Sequence, residues 1–110
     1  MAEIDGSILD RLFITVTERR GADPSQSYTA KLLQAGRARI ARKLGEEAVE
    51  TMIAALAEPP QALIGESADL LYHLLVLWAD VGIAPAEVWQ ALDVRQGTSG
   101  LAEKAARTQS

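Results

Sequence analysis

Apolar residues recur at three- and four-residue spacing along most of the chain, the period of a helix rather than a strand. Ser7 opens the first predicted helix, which runs to about Arg19 with Ile8, Leu12 and Val16 in register and Leu9 and Phe13 beside them. Gly21-Ala22-Asp23-Pro24 ends it in a loop. Ser27-Tyr28-Thr29 then opens a short helix, Ala30 to about Gln34, anchored by Leu32 and Leu33, and Gly36 is a bend. A long helix follows, with Ile40, Leu44, Val49, Met52, Ile53 and Leu56 covering most of its circumference. Pro59-Pro60 breaks it and starts a second long helix, closed by Gly82. Pro85 begins another, Ala86 to Val94, whose apolar face is Val88, Trp89 and Leu92. Arg95 to Gly100 reads as a loop, and Leu101 to Arg107 as a last short helix. Phe13-Ile14-Thr15-Val16 is the one stretch of strand type. The pattern predicts an all-α bundle of five or six helices in a single domain of 110 residues.

The second long helix is apolar on nearly every side: Leu63, Ile64, Leu70, Leu71, Leu74, Leu75, Val76, Leu77 and Trp78. One short chain offers too few partners for it, so a homodimer is expected to complete the bundle. Its apolar run is too short for a membrane span of about 20 residues and has acids on both sides. No membrane association is expected. The start, Met-Ala-Glu-Ile-Asp, is acidic and has no signal-peptide character. With no Cys, disulfides, thiolate metal sites and a Cys nucleophile are excluded, which fits a cytoplasmic setting. A net charge of −4 disfavours nucleic acid as a partner.

Charge adds what hydropathy does not reveal. From Leu44 to Val94 there are nine of the chain's fifteen acids and none of its eleven Lys and Arg. On the second long helix, at about 100° per residue, Glu66, Asp69, His73 and Asp80 fall within a band of roughly 60°. On the first, Glu47 and Glu50 share a face at i and i+3, as do Glu46 and Glu50 at i and i+4. Pro59-Pro60 favours an antiparallel return, and packed helices lie about 8–10 Å apart. Glu47-x-x-Glu50 and Glu66-x-x-Asp69 then face one another as oxygen donors with no internal cation, an arrangement suited to Mg²⁺ or Mn²⁺. The plainer alternative is the wet side of a two-helix hairpin, but a solvated face normally mixes both signs.

Carboxylates holding a divalent ion, with no nucleophile beside them, suit hydrolysis of a phosphoanhydride. Lys43, the Arg37–Arg42 group and the tail cations Arg95, Lys104 and Arg107 are then candidates for phosphate contacts. His73, one turn beyond Asp69, is open between ligand, proton donor and satisfied core residue. Asp80 reads as a solvent-exposed rim residue, and Trp78 and Trp89 as core or dimer contacts. Gly45 is either a tolerated helix glycine or a point of close approach.

Four segments carry a resemblance. Lys43-Leu44-Gly45-Glu46-Glu47-Ala48-Val49-Glu50 and Glu66-Ser67-Ala68-Asp69-Leu70-Leu71-Tyr72-His73 resemble the paired E-x-x-E and E-x-x-D motif of the MazG-like all-α nucleotide pyrophosphohydrolases. Ser27-Tyr28-Thr29-Ala30-Lys31-Leu32-Leu33 and the tail from Arg95 to Arg107 narrow the likeness to the phosphoribosyl-ATP pyrophosphatases of histidine biosynthesis. The likeness spans about Leu9 to Arg107, and the Pro59-Pro60 turn is its one departure. It implies Mg²⁺-dependent cleavage of 1-(5-phosphoribosyl)-ATP to 1-(5-phosphoribosyl)-AMP and pyrophosphate by a cytoplasmic homodimer. By position it implies Glu47, Glu50, Glu66 and Asp69 as metal ligands with Glu46 in support, and Lys43, Arg95, Ser99 and Lys104 as substrate contacts. Some members are fused to a zinc-binding cyclohydrolase; with no Cys and 110 residues, only the pyrophosphatase step is expected here.

Three rivals stand beside this. One is a housecleaning pyrophosphatase using the same acids on free nucleotides. Another is a di-iron bundle, which usually needs a Glu-x-x-His pair on each of two helices, whereas this chain has one His. The last is a non-catalytic helical module.

Overall fold

A computed structural model of the chain describes residues 3–97 together with Gly100, Lys104 and Arg107. Among the described residues there are five helices and no strand: α1 (Ile8–Glu18), α2 (Tyr28–Ala35), α3 (Arg37–Ala57), α4 (Pro60–Val81) and α5 (Pro85–Gln96). The predicted sixth helix lies largely outside them. Phe13 to Val16 is helical, because its apolar residues continue the three-to-four-residue register begun by Leu9 and Leu12.

Boundaries follow local chemistry. Ser27 is extended and its Oγ accepts from the Ala30 N–H at 3.1 Å, so α2 begins at Tyr28, two residues before the expected Ala30. Ser7 plays no such part. Its own backbone is already helical, and its hydroxyl turns back to Asp5 instead. Gly36 joins α2 to α3 in a single residue at φ 97°, ψ 170°, a region essentially restricted to glycine. Pro60 occupies the first turn of α4, where its missing N–H leaves no helical bond unmade. Gly82 ends α4 in the left-handed conformation at φ 91°. Glu87 reaches back to the Ala84 N–H at 2.8 Å and fixes the start of α5.

The two long helices α3 and α4 are joined by Glu58-Pro59 and pack antiparallel. Arg37 meets Asp80 at one end and Thr51 meets Glu66 further along; fourteen residues up α3 are matched by fourteen down α4. The core lies where α1 and α2 cross this pair, with Val16, Leu32, Ile40, Val76 and Ala79 buried and Leu12, Phe13, Leu33, Tyr72 and Leu77 packed around them. Each fully buried aliphatic side chain contributes about 1.5–3 kcal/mol. Arg20 donates to the Ala79 carbonyl at 2.6 Å and ties the end of α1 to the C-terminal turn of α4. Trp78 and Trp89 meet edge to face at 5.9 Å, joining α4 to α5.

That core leaves much apolar surface bare. Val49, Met52, Ile53 and Leu56 form an exposed stripe on α3, and Ile64 and Leu71 are exposed on α4. By length and composition alone α4 is long and apolar enough to cross a membrane, and only 28% of its most apolar stretch is buried within the single chain. Glu66 and Asp69 on that same helix turn toward α3, the placement that shapes the site.

Candidate active site

Packing α3 against α4 brings acids from both helices to one place. One oxygen each from Glu47, Glu66 and Asp69 lies within 4.8 Å of the other two. Thr51 holds the helices in this register: its hydroxyl donates to the Glu47 carbonyl at 2.7 Å and sits 3.4 Å from the Glu66 carbonyl. Glu50 stands outside the trio and is exposed, yet it is close enough to influence both glutamates.

The electrostatics are those of crowded, desolvated carboxyls. Burial, and then the nearby Glu50 and Asp69, push the Glu47 carboxyl above its ordinary range; His73 opposes this in part. Burial also raises Glu66, followed by the charges of Glu50 and Asp69. Glu47 Oε2 and Glu66 Oε2 are buried without a hydrogen-bond partner among the described residues. Such atoms are rare in a finished interior and call for an explanation such as a water or an ion.

The donor set fits a hard divalent cation. All donors are carboxylate oxygens, the type that selects Mg²⁺, Ca²⁺ or Mn²⁺ over softer metals. Two oxygens on opposite sides of Mg²⁺, each at about 2.1 Å, are roughly 4.2 Å apart. The trio's oxygens, all within 4.8 Å of one another, would close by roughly half an ångström or more to share one such ion.

His73 is buried, at 5% exposure. Its Nδ1 lies 2.8 Å from the Asp69 carbonyl, which can only accept, so Nδ1 carries the proton. In the neutral ring Nε2 is then an acceptor, and it too is buried with no partner among the described residues. The ring meets Tyr72 edge to face at 5.0 Å and Tyr28 at 6.2 Å. Tyr72 in turn exchanges a hydrogen bond with Thr29. The Tyr28-Thr29 pair of α2 thus abuts the Asp69–His73 turn of α4, a cross-helix contact that spacing within either segment does not reveal.

Other expected residues fall elsewhere. Glu46, expected in support of the metal ligands, pairs with Lys43 at 3.2 Å and is half exposed. Asp80, expected at the open rim, is only 15% exposed and accepts from Arg37 Nε at 2.9 Å. The reason is the antiparallel return, which sets the cationic start of α3 beside the acidic end of α4. Arg95 lies exposed in the last turn of α5, Lys104 is exposed, and Ser99 falls outside the described residues. Gly45 has nothing within 4 Å of where a Cβ would stand, so no close approach within the described residues explains it.

Comparison with known proteins identifies the family. A family model described as phosphoribosyl-ATP pyrophosphohydrolase matches residues 9–96. The phosphoribosyl-ATP pyrophosphatase of Azospirillum brasilense is 61% identical over 109 residues, covering 97% of this chain and 98% of its own. That of Paramagnetospirillum magneticum is 58% identical over 103 residues, 94% of each chain. That of Rhizorhabdus wittichii is 59% identical over 99 residues, 90% of this chain and 93% of its own. With the acid-bearing helices α3 and α4 lying wholly inside the matched span, the chain belongs to the phosphoribosyl-ATP pyrophosphohydrolase family.

Proposed function

We propose that this single-domain chain hydrolyses 1-(5-phosphoribosyl)-ATP to 1-(5-phosphoribosyl)-AMP and pyrophosphate, the step its family performs in histidine biosynthesis. The observation that carries the reading is the trio Glu47, Glu66 and Asp69, with two buried oxygens lacking partners among the described residues. Glu47, Glu50, Glu66 and Asp69 would hold Mg²⁺, or Mn²⁺ in its place, with Glu46 at most in an outer role. When bound there, such an ion would neutralise charge developing on the phosphate oxygens and make water more acidic.

The chain's own residues do the rest. Water adds across the α–β phosphoanhydride: one P–O bond forms to its oxygen, and the bond to the bridging oxygen breaks. No covalent enzyme intermediate is needed, since the trio offers no nucleophile beyond its carboxylates. An acid left outside the coordination sphere accepts the water's proton. His73 keeps the Asp69 turn in place through its Nδ1–H. Lys43 stands one turn before Glu47 on the same helix face, where it meets substrate phosphate, and Arg95, Ser99 and Lys104 of the C-terminal segment contribute further contacts.

The bare stripes on α3 and α4 support a homodimer in which a second copy covers the apolar surface, in keeping with a cytoplasmic enzyme. This accounts for the length and hydropathy of α4 without a bilayer, because Glu66 and Asp69 would otherwise sit in hydrocarbon. Steady-state turnover of phosphoribosyl-ATP against a panel of dNTPs, with and without Mg²⁺, tests the assignment. Metal-dependent preference for phosphoribosyl-ATP is expected; preference for dNTPs would instead assign the same acids to nucleotide housecleaning.

A further inference from the structure

Beside the acids, α2 and α3 flank an open hollow of about 400 Å³ lined by Tyr28, Lys31, Leu32, Ala35, Arg39 and Lys43. Its lining has three cations and no carboxylate. Lys43 is engaged by Glu46 from outside the lining, while Lys31 and Arg39 have no ion pair among the described residues. Arg39 and Lys43 share a face of α3 at i and i+4, and Lys31 comes from α2. Three like charges around one concavity repel each other unless an anion joins them, and a phosphate monoester, carrying up to two charges, suits them.

The hollow's position relative to the acids is fixed by α3 itself. Lys43 precedes Glu47 by one turn and Arg39 by about two, so at 1.5 Å per residue the hollow extends roughly 12 Å along the helix from Glu47. Tyr28, half exposed, forms the wall between them; its ring stacks on Tyr72 at 6.4 Å and touches His73, which is bonded to Asp69. A ligand with one anionic end at the acids and a second beyond Tyr28 would bridge both. Phosphoribosyl-ATP has that form: a triphosphate on one side of the adenine and a ribose 5′-phosphate on the other. An ordinary nucleoside triphosphate lacks the second end.

We propose that Lys31, Arg39 and Lys43 bind the 5′-phosphate of the substrate's N1-linked ribose, and that this hollow separates phosphoribosyl-ATP from ordinary nucleoside triphosphates. The proposal rests on the functional reading above. Its test uses the full chain in Mg²⁺ buffer, as wild type, Lys31→Ala, Arg39→Ala and Arg39→Lys, with circular dichroism confirming helicity. Each Ala variant should raise the KM for phosphoribosyl-ATP by about tenfold to a hundredfold, Arg39→Lys by less, and none should change the inhibition constant of ATP. Equal weakening toward both nucleotides would place the triphosphate in the hollow and overturn the proposal. Calorimetric titration with ribose 5-phosphate provides a readout independent of turnover: binding to wild type, lost in both Ala variants, is expected. Binding that the variants leave intact, or no binding to wild type, overturns it. If wild type fails to hydrolyse phosphoribosyl-ATP, the functional reading fails, while the sugar-phosphate titration still decides whether the hollow is a phosphate site.

Discussion

Glu47 concentrates the tension of the molecule in one carboxyl. It is partly buried, has an oxygen without a partner among the described residues, and stands close to two more acids. Replacing it with Gln removes the charge and retains the shape. We expect Glu47→Gln to lower metal-dependent turnover by roughly 100-fold or more while raising the thermal stability of metal-free protein. Retained turnover would exclude Glu47 from the metal site. The pH dependence follows from the same carboxyls. Glu47 and Glu66 have native pKa values raised above the unfolded value of about 4.3, so the native state binds more protons between those limits. Stability of metal-free protein should therefore fall as pH rises from about 4.3 through the raised native values. Denaturant titrations in EDTA across that range should show a shallower fall in Glu47→Gln than in wild type, and added Mg²⁺ should offset it. A steeper fall in the variant would reverse the assigned sign.

Two glycines in and beside α3 look alike in the sequence and differ in what they do. Gly36 turns the chain at φ 97°, where a side chain is strained whatever space surrounds it, and thereby aims α3 against α2. Gly36→Ala should cost about 1–3 kcal/mol in urea unfolding. Gly45 lies inside the helix with open space around it, so Gly45→Ala should stabilise the fold by up to about 1 kcal/mol. Destabilisation at Gly45 would reveal a close neighbour supplied by another chain or a ligand. The helix boundaries were legible where the signal was local: Ser27, Pro60, Gly82 and Pro85 each act on their own turn. Ser7 marks the start of α1 as expected, but its hydroxyl makes no capping bond, because it is given to Asp5 instead.

For the molecule as a whole the question is what covers the α3 and α4 stripes. Leu56 is 83% exposed and Ile64 65%, among several apolar neighbours. A patch of this kind on a soluble chain marks an interaction surface. Sedimentation equilibrium should give twice the chain mass, and Ile53→Glu should shift the chain toward monomer with loss of helical cooperativity on heating. A wild-type monomer at micromolar concentration would remove the dimer from the proposal. The Arg37–Asp80 pair lies at the outer end of the same helix pair and, with Arg37 62% exposed, should contribute no more than about 1 kcal/mol.

The order of hydrophobic and polar residues was enough to determine an all-helical chain, the break at Pro59-Pro60, and the fact that Glu47 and Glu50, like Glu66 and Asp69, share a helix face. Those are properties of single helices, set by a fixed rotation per residue. Which acids converge was decided only when α3 and α4 packed. Glu47, Glu66 and Asp69 came together, and Asp80 found Arg37. The same holds for the hollow, whose Lys31 and Arg39 belong to different helices. Periodicity gives a side chain's angle about its own axis, whereas its neighbour across an interface depends on the axial register of two helices. That register is set by the turn between them and by the packing of the whole core.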